Sequence, residues 1–168
     1  MFSWMNPKLI VKDTEKYGKG IFTTKNIKKG ELVTVFGGHI YNLNYEKNIP
    51  QNIRDNGLQI TDKLILGIIK QEEIEDAIYF NHSCNPNMGI GGQIFLIAIK
   101  NIKKNDQLTF DYAMALSGKD RYSMKCSCGD KNCRGKITNT DWKLPSLQKR
   151  YKGYFQWYIE EKIKKLKK

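Results

Sequence analysis

Four cysteines and one histidine-containing segment carry the residue types that are best suited to chemistry. Cys126, Cys128 and Cys133 stand in a C-x-C-x4-C spacing, and Cys84 is remote from them in the sequence. Zinc prefers four thiolates, or thiolates mixed with imidazole, in a closed tetrahedron. Three close ligands separated by turn residues can hold one face of the ion, and a distant ligand completes it. The spacing therefore predicts one structural zinc site, with four unrelated thiols as the alternative and His82 as a rival ligand.

The composition bounds the class of protein. The 168 residues include 29 Lys and Arg against 17 Asp and Glu, a net charge of +12, and 40% are hydrophobic, which fits one globular domain. No apolar run approaches the about 20 residues of a membrane span, and the first residues do not resemble a signal peptide. We therefore expect an intracellular protein, cytoplasmic or nuclear, or one secreted into a host by a non-classical route, with no membrane partner and no disulfides.

The pattern of apolar residues predicts a mainly β fold of α+β character. Short runs of Val, Ile, Phe and Tyr are separated by Gly, Asn and Lys pairs, which is typical of short strands and turns. Strands are predicted at residues 9–12, 20–23, 32–36, 58–60, 64–68, 94–98 and 108–110. Residues 72–79 resemble a helical turn, residues 45–51 a short helix or a loop, and the glycine-rich run 89–92 is expected to be a turn between strands.

The basic residues are unevenly placed. Residues 136–168 hold ten basic and three acidic side chains, a net charge of +7. Pro145 is suited to open a helix, and aromatic and apolar residues recur there at spacings of three and four. The pattern predicts one aromatic-faced helix or two short ones, with Gly153 as a weak point and fraying at Lys167 and Lys168.

Two turn-like basic segments resemble each other. The sequence reads Asn-Ile-Lys-Lys-Gly at 26–30 and Asn-Ile-Lys-Lys-Asn at 101–105, each just before a predicted strand. An excess of positive charge attracts polyanions, but it can equally keep a small protein soluble. The charge by itself therefore decides no function.

Four segments together carry a resemblance to a known family. They read Tyr-Gly-Lys-Gly-Ile-Phe at 17–22, Tyr-Phe-Asn-His-Ser-Cys-Asn-Pro-Asn at 79–87, Leu-Thr-Phe-Asp-Tyr at 108–112, and the three-cysteine segment at 126–135. In this order and spacing they resemble the SET-domain protein-lysine methyltransferases that have a post-SET zinc segment. The resemblance covers residues 8–137, and the tail at 141–151 is similar to tails on small bacterial members of the family.

The resemblance implies a SET fold of several small sheets with a helical C-terminal tail. In this fold a C-terminal segment threads under a preceding loop as a pseudoknot, an exception to the usual rule against threaded chains. The segments 81–87 and 108–112 would then meet at the centre. The implied division is a SET domain at 1–117, a post-SET zinc segment at 118–137 and a basic, aromatic helical tail at 138–168.

The implied reaction is transfer of a methyl group from S-adenosylmethionine to the side-chain amine of lysine in a protein. A histone, a histone-like tail or another basic protein is the expected substrate. Because free lysine has a pKa of about 10.4, the site must favour the neutral amine by enclosing it in an apolar channel beside a sulfonium charge. The family pattern assigns catalysis to Tyr112, whose hydroxyl would orient the amine. A core tyrosine at a strand end is the alternative.

The resemblance also implies where the cofactor binds. Backbone groups of the glycine loop would hold its methionine part, and the Asn-His pair would lie near its adenine and amine. The predicted cofactor contacts are Lys19, Gly20, Tyr79, Asn81, His82, Tyr112 and Trp142. The alternatives are an ordinary hairpin turn for the glycine loop, buried polar residues that tie the knot for Asn81 and His82, and a packed helix face for Trp142.

Three residues are predicted to form the substrate channel. Phe110 lies two residues before Tyr112 and faces the same side of an extended strand. In the family, Phe at this position leaves room for bulkier products and Tyr restricts them, so Phe110 favours di- or trimethylation. Phe36 stands where the family usually has a channel tyrosine, and Tyr41 is the candidate to replace the missing hydroxyl.

A second departure from the family pattern is Ile78, which replaces an arginine three residues before the asparagine. Either that cofactor contact is missing, or another segment supplies it, with Lys19 and Arg134 as the candidates. The departures leave open a SET-fold module that binds a peptide or nucleic acid with weak or no catalysis. A zinc-stabilised nucleic-acid-binding domain ranks third, because no groove-reading pattern is recognisable. The basic tail is the predicted contact for DNA or a nucleosome, and the sequence indicates no oligomeric state.

Overall fold

The computed structural model describes residues 1–16, 18–118 and 122–166. Its strands are β1 (Trp4–Met5), β2 (Leu9–Thr14), β3 (Gly18–Thr23), β4 (Leu32–Val35), β5 (His39–Asn42), β6 (Leu58–Gln59), β7 (Leu64–Gly67), β8 (Asn81–His82), β9 (Met88–Gly91), β10 (Phe95–Ala98), β11 (Gln107–Phe110), β12 (Ser123–Lys125) and β13 (Lys136–Thr138). The α-helices are α1 (Gln51–Arg54), α2 (Pro145–Arg150) and α3 (Trp157–Leu166), and 3-10 helices occur at Leu43–Asn48, Gln71–Glu73, Asp76–Tyr79, Tyr112–Met114 and Asp141–Lys143.

The strands form four small sheets. Their spatial orders are β1-β4-β10-β9, β2-β3-β11-β8, β5-β7-β6 and β12-β13. The predicted mainly β fold of several small sheets is thus confirmed. None of the described helices has the length and apolar character needed to cross a membrane.

The second sheet positions the two segments that carry the family motifs. β11 pairs antiparallel with β3 and parallel with β8, with Thr109 opposite Asn81 and Phe110 opposite His82. Asn87 fastens the same junction, because its side chain donates to the Gln107 carbonyl at 2.7 Å and accepts from the Thr109 N–H at 2.9 Å. The segments 81–87 and 108–112 therefore lie side by side, as the resemblance implies.

The glycine-rich run 89–92 was assigned wrongly to a turn. Met88–Gly91 forms strand β9, and Gly92, with a φ of +63°, is the residue at which the chain turns. A Cβ on Gly89 would lie 2.8 Å from both Ile99 Cγ2 and Tyr154 Cβ. The glycine is therefore needed for close packing within the sheet rather than for a turn.

The tail belongs to the main core. Its buried apolar side chains, Trp142, Leu147, Tyr151, Phe155, Ile159 and Ile163, pack in one cluster with strand residues such as Ile21 and Leu108. Gly153, with a φ of +81°, lies between α2 and α3, so of the two predicted alternatives the tail forms two short helices. A second, smaller core under the third sheet contains Tyr41 and Ile65.

Some predictions fall partly outside the described residues. Tyr17, which begins the glycine loop, and Lys167 and Lys168, which were expected to fray, are among them. Residues 119–121 flank the predicted boundary between the SET domain and the zinc segment. The three-part division of the chain stays a prediction.

Candidate active site and metal centre

The four cysteines come together in one cluster. Their Sγ atoms all lie within 4.8 Å of one another, and the Sγ atoms of Cys84 and Cys126 are 3.9 Å apart. A zinc tetrahedron with Zn–S bonds of about 2.3 Å places its sulfurs about 3.8 Å apart. The donor type, the number of sulfurs and the spacing therefore fit a closed, four-thiolate zinc site.

The cluster is assembled by a short hairpin and one remote loop. Cys126 follows β12, and its N–H donates to the carbonyl of Gly135, which precedes β13, at 2.9 Å. The loop that carries Cys84 is tied to this hairpin by Asn85, whose side chain donates to Asp130 at 2.8 Å. The N–H of Arg134 points at Cys84 Sγ from 3.4 Å, an arrangement that favours a thiolate.

His82 joins the cysteine cluster to Tyr112. The N–H of Tyr112 donates to His82 Nδ1 at 3.2 Å, so the neutral ring carries its proton on Nε2, which lies 3.4 Å from Cys84 Sγ. Burial lowers the pKa of His82 to about 4, in spite of the opposing attraction of Asp111. His82 is thus a neutral bridge between Cys84 and the backbone of Tyr112, and it lies outside the four-sulfur cluster.

A buried carboxylate, to which the sequence analysis gave no role, holds three parts of the chain together. Asp111 is fully buried and accepts two hydrogen bonds from Arg134, at 2.6 and 2.8 Å, and one from the Tyr151 hydroxyl at 3.0 Å. Arg134 also donates to Asp141 at 3.0 Å. Because a buried charge requires partners, an Asp within an apolar strand motif was a signal for this network. Because these bonds hold the Arg134 side chain, it is poorly placed to supply the cofactor contact of the family arginine that Ile78 replaces.

An apolar cavity of about 160 Å³ lies beside Tyr112. Phe36, Phe80 and Phe110 line it, together with Ile78. The Phe110 and Tyr112 ring centroids are 5.0 Å apart, and the Tyr112 hydroxyl donates to the Phe80 carbonyl at 3.3 Å. Burial, with a smaller contribution from nearby Tyr122, raises the pKa of Tyr112 above its ordinary value, so its hydroxyl stays protonated. The cavity can enclose an aliphatic side chain that ends at a hydroxyl.

Tyr122 and Gln59 are among the cavity residues that the sequence analysis did not identify. Tyr122 lies in the linker between Tyr112 and Cys126, where no spacing rule points to it, and burial followed by the charge of Asp55 raises its pKa. Gln59 is 6% exposed, and its Oε1 accepts the Ser117 N–H at 3.1 Å. The Nε2 of Gln59 is buried with no hydrogen-bond partner among the described residues. Each side chain adds a polar group to a cavity whose lining is mainly apolar but also includes Asp55 and Glu75.

Tyr41 does not line this cavity. It is 8% exposed and belongs to the smaller core. Its hydroxyl packs against Gly57 and Gly67, since a Cβ on these residues would lie 2.8 and 3.2 Å from it. Both glycines line the cavity. Tyr41 therefore lies behind the cavity wall.

Four of the predicted cofactor residues meet where β3 and β8 approach β11. The Asn81 side chain donates to the Lys19 carbonyl at 2.9 Å, and Lys19 Nζ lies 5.2 Å from the centre of the Tyr79 ring. A Cβ on Gly20 would lie 2.5 Å from Gln107 Nε2 and 3.0 Å from Asn81 Nδ2, so a larger residue here would displace the side chains of this junction. The Nε2 of Gln107 is buried without a partner in the described part of the chain. Close backbone approach and an unsatisfied donor fit a bound polar ligand.

Trp142 lies apart from these residues. Its side chain is 4% exposed within the main core, and Lys143 Nζ and Lys162 Nζ lie 5.5 and 5.4 Å from the centre of its ring. It is not among the described residues that line the cavity beside Tyr112. Its predicted contact with the cofactor stays a prediction.

Comparison with known sequences agrees with this geometry. Residues 18–113 match the family model described as SET domain. The chain is 30% identical over 144 residues to the histone-lysine N-methyltransferase ASHH3 of Arabidopsis thaliana, covering 77% of this chain and 38% of that protein. It is 28% identical over 136 residues to the histone-lysine N-methyltransferase SETD2 of Homo sapiens, covering 73% of this chain and 5% of that protein. The chain thus spans well under half the length of these relatives.

Solved structures share the fold. The methyltransferase domain of human histone-lysine N-methyltransferase SETMAR superposes with a TM-score of 0.60 at 21% identity, covering 78% of this chain and 58% of that one. KRYPTONITE in complex with mCHH DNA, an H3(1-15) peptide and SAH superposes with a TM-score of 0.61 at 21% identity, covering 79% and 30%. Since the family model spans more than half of the residues and the fold is the same, the chain belongs to the SET-domain family.

Proposed function

We propose that the protein transfers a methyl group from S-adenosylmethionine to the side-chain amine of a lysine in a protein substrate. The observation that carries the proposal is the position of Tyr112, which lines the cavity with its side chain. Its backbone N–H donates to His82, which lies in β8 next to the proposed cofactor contact Asn81. Membership of the SET-domain family supports it. Relatives named as histone-lysine N-methyltransferases make a histone or another basic protein the proposed substrate class.

The proposed cofactor site is the junction of β3, β8 and β11. S-adenosylmethionine supplies a methyl group on a positively charged sulfur when it is bound. Gly20 lets the side chains of Gln107 and Asn81 pack against the backbone of β3, and the buried Gln107 Nε2 is a donor that still needs an acceptor. The further proposed contacts with the cofactor are Lys19, Tyr79, Asn81, His82, Tyr112 and Trp142. Lys19 is the remaining candidate for the contact that Ile78 lacks, because Arg134 is held by Asp111 and Asp141.

The cavity is proposed to bind the substrate lysine as its neutral amine. Removing an ammonium group from water favours the neutral form, whose lone pair is the nucleophile. The Tyr112 hydroxyl donates its proton to the Phe80 carbonyl, so its oxygen is left to accept an N–H of the amine. That bond would fix the direction of the nitrogen lone pair, and Tyr112 therefore orients the amine without acting as a formal base.

The size of the cavity at Phe110 leads to a prediction about the product. Phe110 lines the 160 Å³ cavity, and its ring centre lies 5.0 Å from that of Tyr112. We expect Phe110→Tyr to shift the products from di- and trimethyl-lysine toward monomethyl-lysine, because the added hydroxyl fills space that a methylated amine needs. Mass spectrometry of a lysine peptide after exhaustive reaction measures the ratio. An unchanged ratio would remove Phe110 from the proposed channel.

Tyr122 is proposed to replace the hydroxyl that the channel lacks at Phe36. It lines the cavity together with Tyr112 and lies close enough to influence the pKa of Tyr112. We expect Tyr122→Phe to lower kcat/KM for a lysine peptide about tenfold, the effect of one lost hydrogen bond. Tyr45→Phe, which alters a 44% exposed tyrosine away from the cavity, is the matched control. Equal kcat/KM values for Tyr122→Phe and the wild type would exclude the role.

The proposed function is tested by assaying methyl transfer to a histone mixture and to lysine peptides. The expected result is a lysine that gains the mass of one or more methyl groups, together with binding of S-adenosylmethionine in calorimetry. Binding of a peptide without binding of the cofactor would instead favour the module that binds without catalysis, which Ile78 and Phe36 keep open. Absence of both binding and transfer would contradict the proposal.

A DNA or nucleosome contact through the basic tail remains a prediction. Several tail charges are used within the protein: Arg150 donates to the Cys84 carbonyl and to Asn85, and Lys162 pairs with Asp62. Lys149 and Lys152 are exposed. The charge that the tail can offer to DNA is therefore smaller than its composition indicates.

A further inference from the structure

The two similar basic segments form one symmetric surface feature. Ile27 and Ile102, both buried, exchange backbone hydrogen bonds in both directions at 2.9 Å. The Asn101 side chain accepts the N–H of Lys29, and the Asn26 side chain accepts the N–H of Lys104, both at 2.9 Å. We call residues 25–31 and 100–106 the twin-turn patch.

The correspondence between the two turns extends further. Gly30 and Asn105 have φ angles of +86° and +71°, and their N–H groups donate to the carbonyls of Ala98 and Thr23, both at 2.8 Å. The Glu31 carboxylate accepts the N–H of Lys28 at 3.1 Å, and the Asp106 carboxylate accepts that of Lys103 at 2.9 Å. Each turn is therefore closed in the same way, and its backbone is fixed before any ligand binds.

The patch presents six exposed lysines, which are Lys25, Lys28, Lys29, Lys100, Lys103 and Lys104. None of their ammonium groups takes part in an ion pair or hydrogen bond with any described residue. The two acids of the patch, Glu31 and Asp106, are engaged with backbone N–H groups, and Glu31 also pairs with Lys8 at 2.5 Å. The patch thus holds six lysines against two carboxylates, a net charge of +4 on a small surface.

We propose that the twin-turn patch binds the phosphate backbone of duplex DNA without reading its sequence. Lysines on a fixed backbone are suited to phosphates because displacing the condensed counterions of DNA drives binding. The patch contains only Lys, Asn, Ile, Gly, Glu and Asp, so it has no aromatic ring on which the bases of a single strand could stack. Its two isoleucines are buried, which leaves no apolar side chain to insert into a lipid surface.

The patch is near enough to the candidate active site for both to be used at once. Residues 101–106 lead directly into β11, and β11 is followed by Tyr112. Tyr112 is seven positions after Asn105, so their backbones are at most about 25 Å apart. The inference does not depend on methyl transfer, since the binding experiment needs neither cofactor nor peptide.

The test compares two variants of the full chain that lose the same charge. The patch variant carries Lys28→Gln, Lys29→Gln, Lys103→Gln and Lys104→Gln, and the tail variant carries Lys149→Gln, Lys152→Gln, Lys164→Gln and Lys165→Gln. Fluorescence anisotropy with a labelled duplex of about 20 base pairs gives Kd at several salt concentrations. Circular dichroism checks the fold, which should stay intact because all the substituted lysines are exposed.

The expected result is an affinity at least about tenfold weaker for the patch variant and less than about threefold weaker for the tail variant. The slope of log Kd against log salt should also fall in the patch variant, by about one for each lysine that contacts a phosphate. Equal losses in both variants would show attraction by net charge only and would overturn the proposal. Tighter binding to a single-stranded oligonucleotide or to duplex RNA than to duplex DNA would overturn it as well.

Discussion

Replacing Tyr112 by phenylalanine should reduce kcat for methyl transfer at least about a hundredfold and leave the Kd for S-adenosylmethionine nearly unchanged. The substitution deletes only a hydroxyl, and the ring keeps its contacts with Phe110 and His82, whose centres lie 5.0 and 5.2 Å away. The lost group is the one proposed to orient the amine, so the effect falls on the chemical step. Single-turnover kinetics at saturating peptide, with calorimetry for the cofactor, separates the two quantities.

Tyr158→Phe is the matched control for this prediction. The Tyr158 hydroxyl is also partly buried, where it donates to the Ala115 carbonyl at 2.9 Å and accepts from Ser117 at 3.2 Å, but Tyr158 does not line the described cavity. Removing it should leave kcat within about threefold of the wild type. If Tyr112→Phe retained full activity, or if both variants lost activity equally, Tyr112 would not be the catalytic residue.

Removing zinc should disorder residues 122–138 and abolish methyl transfer. A structural zinc ion contributes about 10 kcal/mol in small domains, which is comparable to the stability of a whole domain. The hairpin of β12 and β13 buries few apolar side chains, since Cys126 and Ile137 are the buried residues of its small cluster besides Cys84. The ion pairs of Arg134 with Asp111 and Asp141 would then have to hold it without the metal. Activity is affected because His82 connects Cys84 Sγ to the backbone of Tyr112.

Hydrogen exchange measured before and after a strong chelator locates the disorder, and metal analysis should give one zinc per chain. Cys128→Ser should lower the zinc content and the activity together. Lys131→Ala changes an exposed residue in the same loop and should preserve both. A metal-free sample with unchanged exchange protection and unchanged activity would contradict the prediction.

The sequence predicted the strands whose run of apolar residues matches their burial in the folded protein. Apolar runs located β2, β4, β7, β10 and β11, with ends displaced by at most two residues. It missed β9, because glycines that serve close packing against Tyr154 look the same as glycines that serve a turn. The two-residue strands β1 and β8 are too short for any periodicity, and the pairing of β8 with β11 came only from the family resemblance.

For the candidate site, spacing was informative for the metal and much less so for the cavity. Three cysteines within eight residues lie close together in almost any turn, and the fourth was assigned because the chain contains only one other cysteine. The cavity is built from residues distant in sequence, so the sequence could not distinguish Tyr122, which lines it, from Tyr41, which lies behind Gly57 and Gly67. Which of several tyrosines faces a cavity depends on tertiary packing alone.

The contacts of Asp111 set an order in which the protein can mature on the ribosome. Asp111, which directly follows β11, is synthesised before Arg134 and Tyr151, whose side chains bind its buried carboxylate. Until those residues emerge, burying the Asp111 carboxylate would leave it with the local Ala113 N–H but without a cation, which opposes the final packing around it. The nascent chain therefore cannot complete the surroundings of Tyr112 until translation has passed residue 151 and the ribosome has released that segment from its exit tunnel.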